Sequence, residues 1–349
     1  MNAWRQVALG AVVTFQRGFD LPHRDRRPGA IPVVTSAGIT GYHSMPMVDP
    51  PGVVTGRYGP IGSLFFIDQP FWPLNTTLYV HDFHGNDPRF TYFMLQQFDF
   101  ELFSGKSGVP GVNRNDLHKE LVFIPESTAE QSEIADILND FELLLSELNR
   151  IIAKKRQIKQ AAMQELLTGK RRPPGFEGEW EVKRLGDVLS ICHGKSQHDV
   201  EASDGPYPIL ATGGQIGTAV CPLYSKPSVL IGRKGTINKP QYMDTPFWTV
   251  DTLFYSAMKD DNNARFFYYL FCTIDWMRFN EASGVPSLNA RTIESIEVSC
   301  PYPKEQNAIS SVLSEMDEEL AALEARKNKA QELKQGMMQQ LLTGKIRLK

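Results

Sequence analysis

Two glycine-lysine-serine triplets are the first residues whose types could do chemistry, because a phosphate-binding P-loop contains such a triplet. They are Gly105-Lys106-Ser107 and Gly194-Lys195-Ser196. A P-loop also needs an earlier glycine at a fixed spacing, and the two positions concerned hold Phe100 and Leu189. The sequence therefore does not predict an ATP site at either triplet.

Two further motifs approach those of enzymes or metal sites, but each lacks a necessary part. Asp49-Pro50-Pro51-Gly52 is close to the Asp/Asn-Pro-Pro-aromatic motif of amino-methyltransferases, but glycine stands where an aromatic ring would stack on a flipped base. His81 and His84 are spaced like metal ligands, without a third ligand close by in the sequence. We expect a turn and a solvated loop at these positions, and we expect the chain not to be an enzyme.

Two polar loop motifs, each present twice, are more informative. Gly56-Arg57-Tyr58-Gly59 corresponds to Gly232-Arg233-Lys234-Gly235, and a Gly-Val-Pro-x-x-Asn motif starts at Gly108 and at Gly284. Glycines let a ligand approach the backbone, arginine binds phosphate or guanine, and asparagine reads adenine. The candidate DNA-binding residues in and beside these loops are Arg57, Tyr58, Lys106, Asn113 and Arg114 in the first copy, and Arg233, Lys234, Asn289 and Arg291 in the second.

The segments that would position these loops form an internal repeat. A shift of 176 residues aligns the two halves without a gap for over 120 residues, and a shift of 175 aligns their ends. Trp4 then meets Trp180, and the Leu-Leu-Thr-Gly-Lys segment at 166–170 meets its copy at 341–345. The chain is therefore predicted to hold two copies of one unit, each a globular part followed by a tail.

Each tail is predicted to be a helix of ~40 residues, or about 60 Å at 1.5 Å per residue. Apolar residues recur at steps of three and four, as in a coiled coil, and Ser127 to Glu130 fits a capping box at the start of the first helix. In both tails acidic residues come first and basic residues follow. Antiparallel pairing would set acid beside base, although the same order also complements each helix's own dipole.

The globular parts are predicted to be mixed α/β. Short β-rich runs are punctuated by glycine and proline, and aromatic-rich helices are expected at Arg89 to Phe103 and Arg265 to Phe279. The predicted fold is two globular α/β domains separated by two long antiparallel coiled-coil helices, with a pseudo-twofold relation. The expected segments are 1–125 and 171–302 for the domains, and 126–170 and 303–349 for the spacer helices.

Composition and charge narrow the class of protein. The 349 residues are 42% hydrophobic, which excludes a wholly disordered chain, and the four cysteines are too scattered to predict a zinc cage or a disulfide framework. No apolar run approaches the ~18 residues of a membrane helix and no signal peptide is visible, so a cytoplasmic protein without membrane contact is expected. The net charge of −3 means that contacts with DNA must come from local patches.

The combination of motifs resembles the specificity subunit of type I restriction-modification systems. The residues that carry the resemblance are the two Leu-Leu-Thr-Gly-Lys segments, the Trp…Leu-Gly openings at Trp4 to Gly10 and Trp180 to Gly186, and the paired glycine loops. They cover essentially the whole chain. The resemblance implies two target recognition domains that bind a bipartite, asymmetric sequence of double-stranded DNA with a non-specific gap.

The resemblance also implies partners. Such a subunit does no chemistry and carries no cofactor; it recruits two methyltransferase (M) subunits, which use S-adenosylmethionine, and motor-nuclease (R) subunits that cleave unmodified DNA. The helix ends recur almost unchanged, so they are predicted to bind the repeated partner, although their leucines could equally only close the helix pair. The residues concerned are Leu166, Leu167, Lys170, Leu341, Leu342 and Lys345. A solitary restriction enzyme and a coiled-coil adaptor that does not bind DNA stay open as alternatives.

Comparison of the two copies predicts a division of labour. Arg57 and Arg233 are identical, so they are expected to contact phosphate, which both half-sites share. Base reading is expected where the copies diverge most, at Phe19 to Ala30 against Lys195 to Pro206, although divergent loops could also be unconstrained surface. The candidate base-reading residues are Arg24, Arg26, Lys195 and Gln197.

Overall fold

A computed structural model of the chain describes residues 4–103 and 111–348, which fall into two compact units. The first unit comprises Met1–Asn149 and Ala325–Lys349, and the second comprises Arg150–Glu324. Each unit therefore combines one globular region with the first part of the long helix that follows it and the last part of the other long helix. The segments expected from the sequence treat the long helices as separate from the globular regions. In the structure, each compact unit instead contains one globular region and a part of each long helix.

The first globular region contains three small sheets. Their strand orders are β1-β9, β2-β8-β5-β6 and β4-β3-β7, antiparallel except for the parallel pair β3 and β7. The strands are β1 (Trp4–Ala8), β2 (Thr14–Arg17), β3 (Ile31–Thr35), β4 (Gly38–His43), β5 (Gly52–Gly56), β6 (Leu64–Ile67), β7 (Trp72–Pro73), β8 (Thr77–Asp82) and β9 (Leu121–Pro125). The helices are α1 (Pro88–Leu95), α2 (Arg114–Leu117) and the long α3 (Thr128–Leu166).

The second globular region repeats this topology, with strand orders β10-β18, β11-β17-β14-β15 and β13-β12-β16. Even the register recurs: Val54 pairs with Tyr79 in the first region, and Leu230 pairs with Tyr255 at the equivalent positions of the second. The strands are β10 (Glu181–Arg184), β11 (Leu189–Cys192), β12 (Tyr207–Ala211), β13 (Gly214–Ala219), β14 (Ser228–Gly232), β15 (Gln241–Met243), β16 (Trp248–Thr249), β17 (Leu253–Met258) and β18 (Glu297–Cys300). The helices are α4 (Leu185–Val188), α5 (Ala264–Thr273), α6 (Ala290–Glu294) and the long α7 (Pro303–Leu341).

The long helices confirm the prediction from charge and periodicity. Both α3 and α7 are 39 residues long. In the first unit Lys334 of α7 donates to Glu142 of α3 at 2.8 Å, and in the second Arg156 of α3 donates to Glu324 of α7 at 2.6 Å. Acid therefore meets base in the antiparallel sense within each unit. Within the described ranges, no helix combines the length and apolar character needed to cross a membrane.

Two local predictions need correction. The aromatic-rich helices are shorter than expected, because α1 ends at Leu95 and α5 at Thr273, and each is followed by a short 3-10 turn. At the start of α3 only one half of the expected capping box is seen. The Ser127 hydroxyl accepts from the Glu130 amide at 3.4 Å. The Glu130 carboxylate is buried and binds Trp4 and Arg347 instead, because a buried carboxylate is more stable beside a cation.

Candidate nucleic-acid interface

The glycines of the two Gly-Arg-x-Gly loops are required by the turn itself. A Cβ added at Gly56 would lie 2.1 Å from the carbonyl oxygen of Pro60, and one at Gly232 would lie 2.2 Å from that of Thr236. The last glycine of each loop has a positive φ, +83° at Gly59 and +88° in the second copy. The glycines therefore shape the loop independently of any ligand.

The structure brings together the two loop motifs that the sequence analysis selected, although in the first copy residues 108–110 of the Gly-Val-Pro-x-x-Asn motif lie outside the described residues. In the first unit the Val112 amide donates to the Arg57 carbonyl at 2.9 Å, and Tyr58 forms a β-bridge with Gly111. In the second, the equivalent bond runs from Leu288 to Arg233 at 2.9 Å. This backbone pairing joins a glycine loop to the segment that precedes a short helix, and a cleft opens beside it in each unit.

Cleft 1, in the first unit, has a volume of about 530 Å³. Arg57 lies over the ring of Tyr58, with the guanidinium carbon 4.6 Å from the ring centroid. Arg114 donates from Nη1 to the Phe15 carbonyl at 3.3 Å, which docks α2 on β2. The lining residues are Gln16, Arg17, Arg57, Tyr58, Leu78, Gly111, Val112, Asn113, Arg114 and Asn115. The cleft thus carries three arginines and, among these described residues, no carboxylate.

Cleft 2, in the second unit, occupies the equivalent position and measures about 250 Å³. Arg233 donates from Nη1 to the Asp251 carbonyl at 3.3 Å. Ala290 stands where cleft 1 has Arg114, and the predicted Arg291 is exposed, at the position equivalent to Asn115. The lining residues are His193, Arg233, Lys234, Phe254, Glu281, Ser287, Leu288, Asn289 and Ala290.

The two candidate asparagines have a structural task. The Asn113 side-chain oxygen accepts from the Asn115 amide at 3.0 Å, and that of Asn289 accepts from the Arg291 amide at 3.0 Å. Both therefore act as N-caps, which accounts for their identity in the two copies by the shared fold. Base reading by their oxygens is not needed to explain why asparagine stands there.

A pair of side chains that the sequence analysis missed fixes the strand beside each cleft. In the first unit the Phe15 amide donates to His118 Nε2 at 2.9 Å, and in the second the Ile191 amide donates to Glu294 Oε1 at 2.8 Å. Burial, and then the charges of Arg114 and His84, hold the pKa of His118 below its usual value. The two residues occupy equivalent positions but share no chemistry beyond accepting a hydrogen bond, so neither copy suggested the other.

The candidate residues in the divergent loops lie elsewhere. Among the described residues that line clefts 1 and 2, none belongs to these loops. The Arg24 side chain is 85% exposed, whereas Arg26 is half-buried with its Nε atom enclosed. In the second unit Lys195 is exposed and Gln197 starts a turn, accepting at its carbonyl from the Val200 amide at 3.0 Å. Lys106 lies outside the described residues.

The helix-end leucines close the cores of the units, which favours the alternative that they stabilise the fold. Their side chains are 6% or less exposed and pack with the first turns of the other long helix and with the globular region. They are Leu341 and Leu342 in the first unit and Leu166 and Leu167 in the second. Among the residues predicted to contact the partner, Lys170 and Lys345 are exposed, so these two lysines are the residues on which that prediction can be tested.

A buried ion pair beside each helix end was also missed. In the first unit the Glu130 carboxylate is 2% exposed and accepts from Arg347 Nε at 2.7 Å and from Trp4 Nε1 at 3.2 Å. The hydrogen bond from Arg347 lowers the pKa of Glu130, although burial opposes the shift. The ring of Trp4 also lies against Gly344, where a Cβ would be 3.0 Å away.

The same arrangement recurs in the second unit. Glu305 is 2% exposed and accepts from Arg172 Nε at 2.7 Å and from Trp180 Nε1 at 3.3 Å. These residues are the repeat equivalents of those in the first unit. An alignment of the two copies could have suggested both clusters, because the acid and the base of one cluster fall at the same repeat positions as those of the other. They fasten each globular region to two helix ends.

Both clefts offer groups that can bind a nucleic acid. Their cations and amides are donors for phosphate oxygens and for purine edges. In the described part of the chain, no group of three or more His, Cys, Asp and Glu side chains is placed to hold a metal ion.

Two stretches of the chain, residues 1–160 and 177–335, match the family described as the type I restriction modification DNA specificity domain. The matches coincide with the two repeats and cover most of the sequence. The chain therefore belongs to the family of type I restriction-modification specificity subunits.

Two relatives come from Methanocaldococcus jannaschii. The type I restriction enzyme MjaVIII specificity subunit is 24% identical over 296 residues, which are 70% of this chain and 66% of that protein. The putative type I restriction enzyme MjaX specificity subunit is 23% identical over 300 residues, covering 75% and 69%. The match thus spans just under two thirds of the length of the first relative.

Solved structures share the fold. The S subunit of a type I restriction-modification system from M. genitalium superposes with a TM-score of 0.75 at 16% identity, covering 97% of this chain and 96% of that one. A chain from a structure concerned with complex assembly and conformational transition of the type I R-M system gives a TM-score of 0.53 at 16% identity, with 97% of each chain covered. These similarities confirm the mixed α/β architecture with two repeated domains and long helices.

Proposed function

We propose that this chain recognises DNA for a type I restriction-modification complex, with cleft 1 and cleft 2 each reading one half of a bipartite, gapped site. The observation that carries the proposal is the duplication of a cationic cleft on one backbone frame with different side chains in each copy. Identical frames suit a task that both half-sites share, namely holding the sugar-phosphate backbone. Different side chains suit two half-sites of different sequence.

The charge distribution supports a contact with DNA that is local and assisted. The first globular part, 1–125, carries 10 Lys and Arg against 10 Asp and Glu, and the second, 173–303, carries 11 against 15. Attraction over the whole surface is therefore weak, and the clefts concentrate the positive charge. We expect the chain alone to bind weakly and the methyltransferase partner to add basic surface.

A gel-shift assay with and without the co-expressed methyltransferase subunit tests the proposal. The expected result is a salt-sensitive complex with duplex DNA that becomes sequence-specific when the partner is present. A chain that binds its partner but leaves the partner's DNA affinity and methylated motif unchanged would instead be a protein adaptor.

Partner recruitment follows from the same proposal. Two methyltransferase subunits, one for each repeat, bind S-adenosylmethionine and methylate adenine. Motor-nuclease subunits join the complex and cleave unmodified DNA. This chain itself holds no cofactor. With the helix-end leucines buried, the exposed parts of the repeated helix ends are the candidate contacts. Lys170 and Lys345 present the same charge twice, as a repeated partner requires.

Charge reversal tests this interface. Lys170→Glu combined with Lys345→Glu should lower the amount of methyltransferase that co-purifies, while the thermal unfolding of the chain stays unchanged. Lys226→Glu combined with Lys239→Glu, at two exposed loop positions, is the control with the same total change of charge. Unchanged stoichiometry in the helix-end double variant would reject its two lysines as contacts.

A further inference from the structure

Cleft 2 contains one side chain of the wrong charge for a general phosphate site. Glu281 lines the cleft with Arg233, Lys234 and His193. A carboxylate repels phosphate, so its presence weakens any non-specific contact of this cleft with DNA. The equivalent position in the first copy is Gly105, which lies outside the described residues. Binding of phosphate by the cations of cleft 2 does not explain why a carboxylate stands there.

The carboxylate is held in place by two sets of hydrogen bonds. Thr292 Oγ1 of α6 donates to Glu281 Oε1 at 2.6 Å, and the Glu281 amide donates to the Ser287 carbonyl at 3.0 Å. The preceding Asn280 closes the loop, since its side-chain oxygen accepts from the Ala282 amide at 3.1 Å and from the Ser287 amide at 2.9 Å. The loop is therefore ordered before any ligand arrives, and it presents an exposed acceptor beside two cations.

The chemistry of base edges restricts what such an acceptor can read. In the major groove a carboxylate accepts from the N4 amino group of cytosine, and the O4 atom of thymine is an acceptor that repels it. Adenine also has an amino group, at N6, but its N7 acceptor lies beside that group and repels the carboxylate, so cytosine is the better partner. Arginine and lysine bind the O6 and N7 atoms of guanine. A carboxylate beside Lys234 is thus complementary to the two edges of a G·C pair, while Arg233 keeps its expected contact with phosphate.

We infer that Glu281 reads a cytosine in the half-site bound by cleft 2, with Thr292 as its positioning residue. The inference rests on the proposed function, because it names the base that one cleft of that function recognises. It gives the two clefts different specificities, since cleft 1 presents arginines and a tyrosine at its described positions and cleft 2 presents cations with an acceptor.

The test uses the full chain co-expressed with its methyltransferase subunit, and the methylated sites are read by genome sequencing. Glu281→Gln should admit adenine at one position of one half-site, because glutamine binds the N6 and N7 atoms of adenine. Preference for cytosine there should fall by roughly 10- to 100-fold in duplex competition. Thr292→Val should relax the same position partially, and Glu297→Gln, an exposed glutamate of β18, should leave the motif unchanged.

Three results would overturn the inference. The motif and its discrimination could survive Glu281→Gln intact. The variant could bind every duplex more tightly with an unchanged motif, which would make the carboxylate a general electrostatic brake. It could also lose binding to all duplexes equally. A wild-type chain that confers no methylated motif would reject the proposed function itself, and this outcome is distinguishable because it does not depend on any variant.

Discussion

Clefts 1 and 2 are built on equivalent residues but differ in the side chains they present. The glycine turns, the paired loops and the asparagine caps recur at equivalent positions. Apart from Arg57 and Arg233, the charged and aromatic side chains that line the clefts differ, since Tyr58 is replaced by Lys234 and Arg114 by Ala290. The two units therefore share the backbone arrangement of the cleft but differ in the side chains available for binding.

The same contrast appears in how each unit holds its strand beside the cleft. Two backbone amides at equivalent positions bind different side chains. The Phe15 amide donates to His118, and the Ile191 amide donates to Glu294. The fold requires an acceptor at this point but not a particular residue. Equivalent structure is therefore a better guide to shared tasks than equivalent sequence.

The largest expected effect tests whether the helix ends play the same part in the separate cores of the two units. Leu341→Ala in the first unit and Leu166→Ala in the second should each destabilise their own unit by about 2–5 kcal/mol, because each removes a buried side chain. Urea unfolding monitored by unit-specific fluorescence measures the loss. The exposed neighbours, Lys345→Ala and Lys170→Ala, should stay within about 0.5 kcal/mol of the parent. A large effect in one unit with none in the other would break the equivalence of the helix ends.

The next effect tests base reading in the divergent loops. Arg26→Ala and Gln197→Ala are each predicted to relax one base position, with a cost of about 1–3 kcal/mol for a lost bidentate contact. Competition between duplexes that differ at single positions measures this. The half-burial of Arg26 makes it the harder case, so Arg24→Ala at the exposed neighbour serves as a comparison. Loops that are unconstrained surface would leave both motif and affinity intact.

A smaller and uniform effect is expected from the shared arginines. Arg57→Ala and Arg233→Ala should weaken binding to every duplex and reduce the slope of log affinity against log salt by about one. Affinity measured across a salt series, on target and unrelated DNA, checks the prediction. A changed methylated motif with an unchanged salt slope would instead make these arginines base readers.

The smallest effect separates the two units by pH. Because the folded pKa of His118 lies below the ordinary value of about 6.5, the unfolded chain binds the proton more readily. The stabilisation is complete above the ordinary pKa and is lost as pH falls through the lowered one. Between about pH 7.5 and about pH 5.5, hydrogen-exchange protection of the Phe15 amide should fall by roughly 2- to 10-fold, the equivalent of one hydrogen bond.

The Ile191 amide is the internal control for that measurement, since its acceptor is Glu294 rather than a histidine. His118→Gln offers an acceptor without a titration in this range, so the pH dependence at Phe15 should disappear. Equal loss at Phe15 and Ile191 would point to a general acid effect on both units and contradict the assignment to His118.

Much of the fold could be predicted from the sequence because the repeat makes two independent copies agree. The long helices follow from their apolar spacing, and their antiparallel sense follows from the order of acids and bases, as Lys334 and Glu142 confirm. The paired loops of the clefts were selected through motifs present twice. Residues without a repeated identity, such as Glu281 and His118, could not be found this way. Only folding brings Glu281 to cleft 2 and His118 to the strand beside cleft 1.

The helix-end leucines show a second limit. Leu341 and Leu166 recur for two reasons that sequence cannot separate, since a shared core and a shared partner both preserve a residue. Their burial favours a shared core. The clusters of Glu130 and Glu305 escaped notice because each joins residues more than a hundred positions apart.

The most direct test of the account is the methylated motif of the complex, determined for the wild-type chain and for two reciprocal exchanges. The account predicts two different specified half-sites separated by unspecified bases, with Tyr58→Lys altering one half and Lys234→Tyr altering the other. A continuous motif would contradict it, as would two exchanges that alter the same half or leave both halves unchanged.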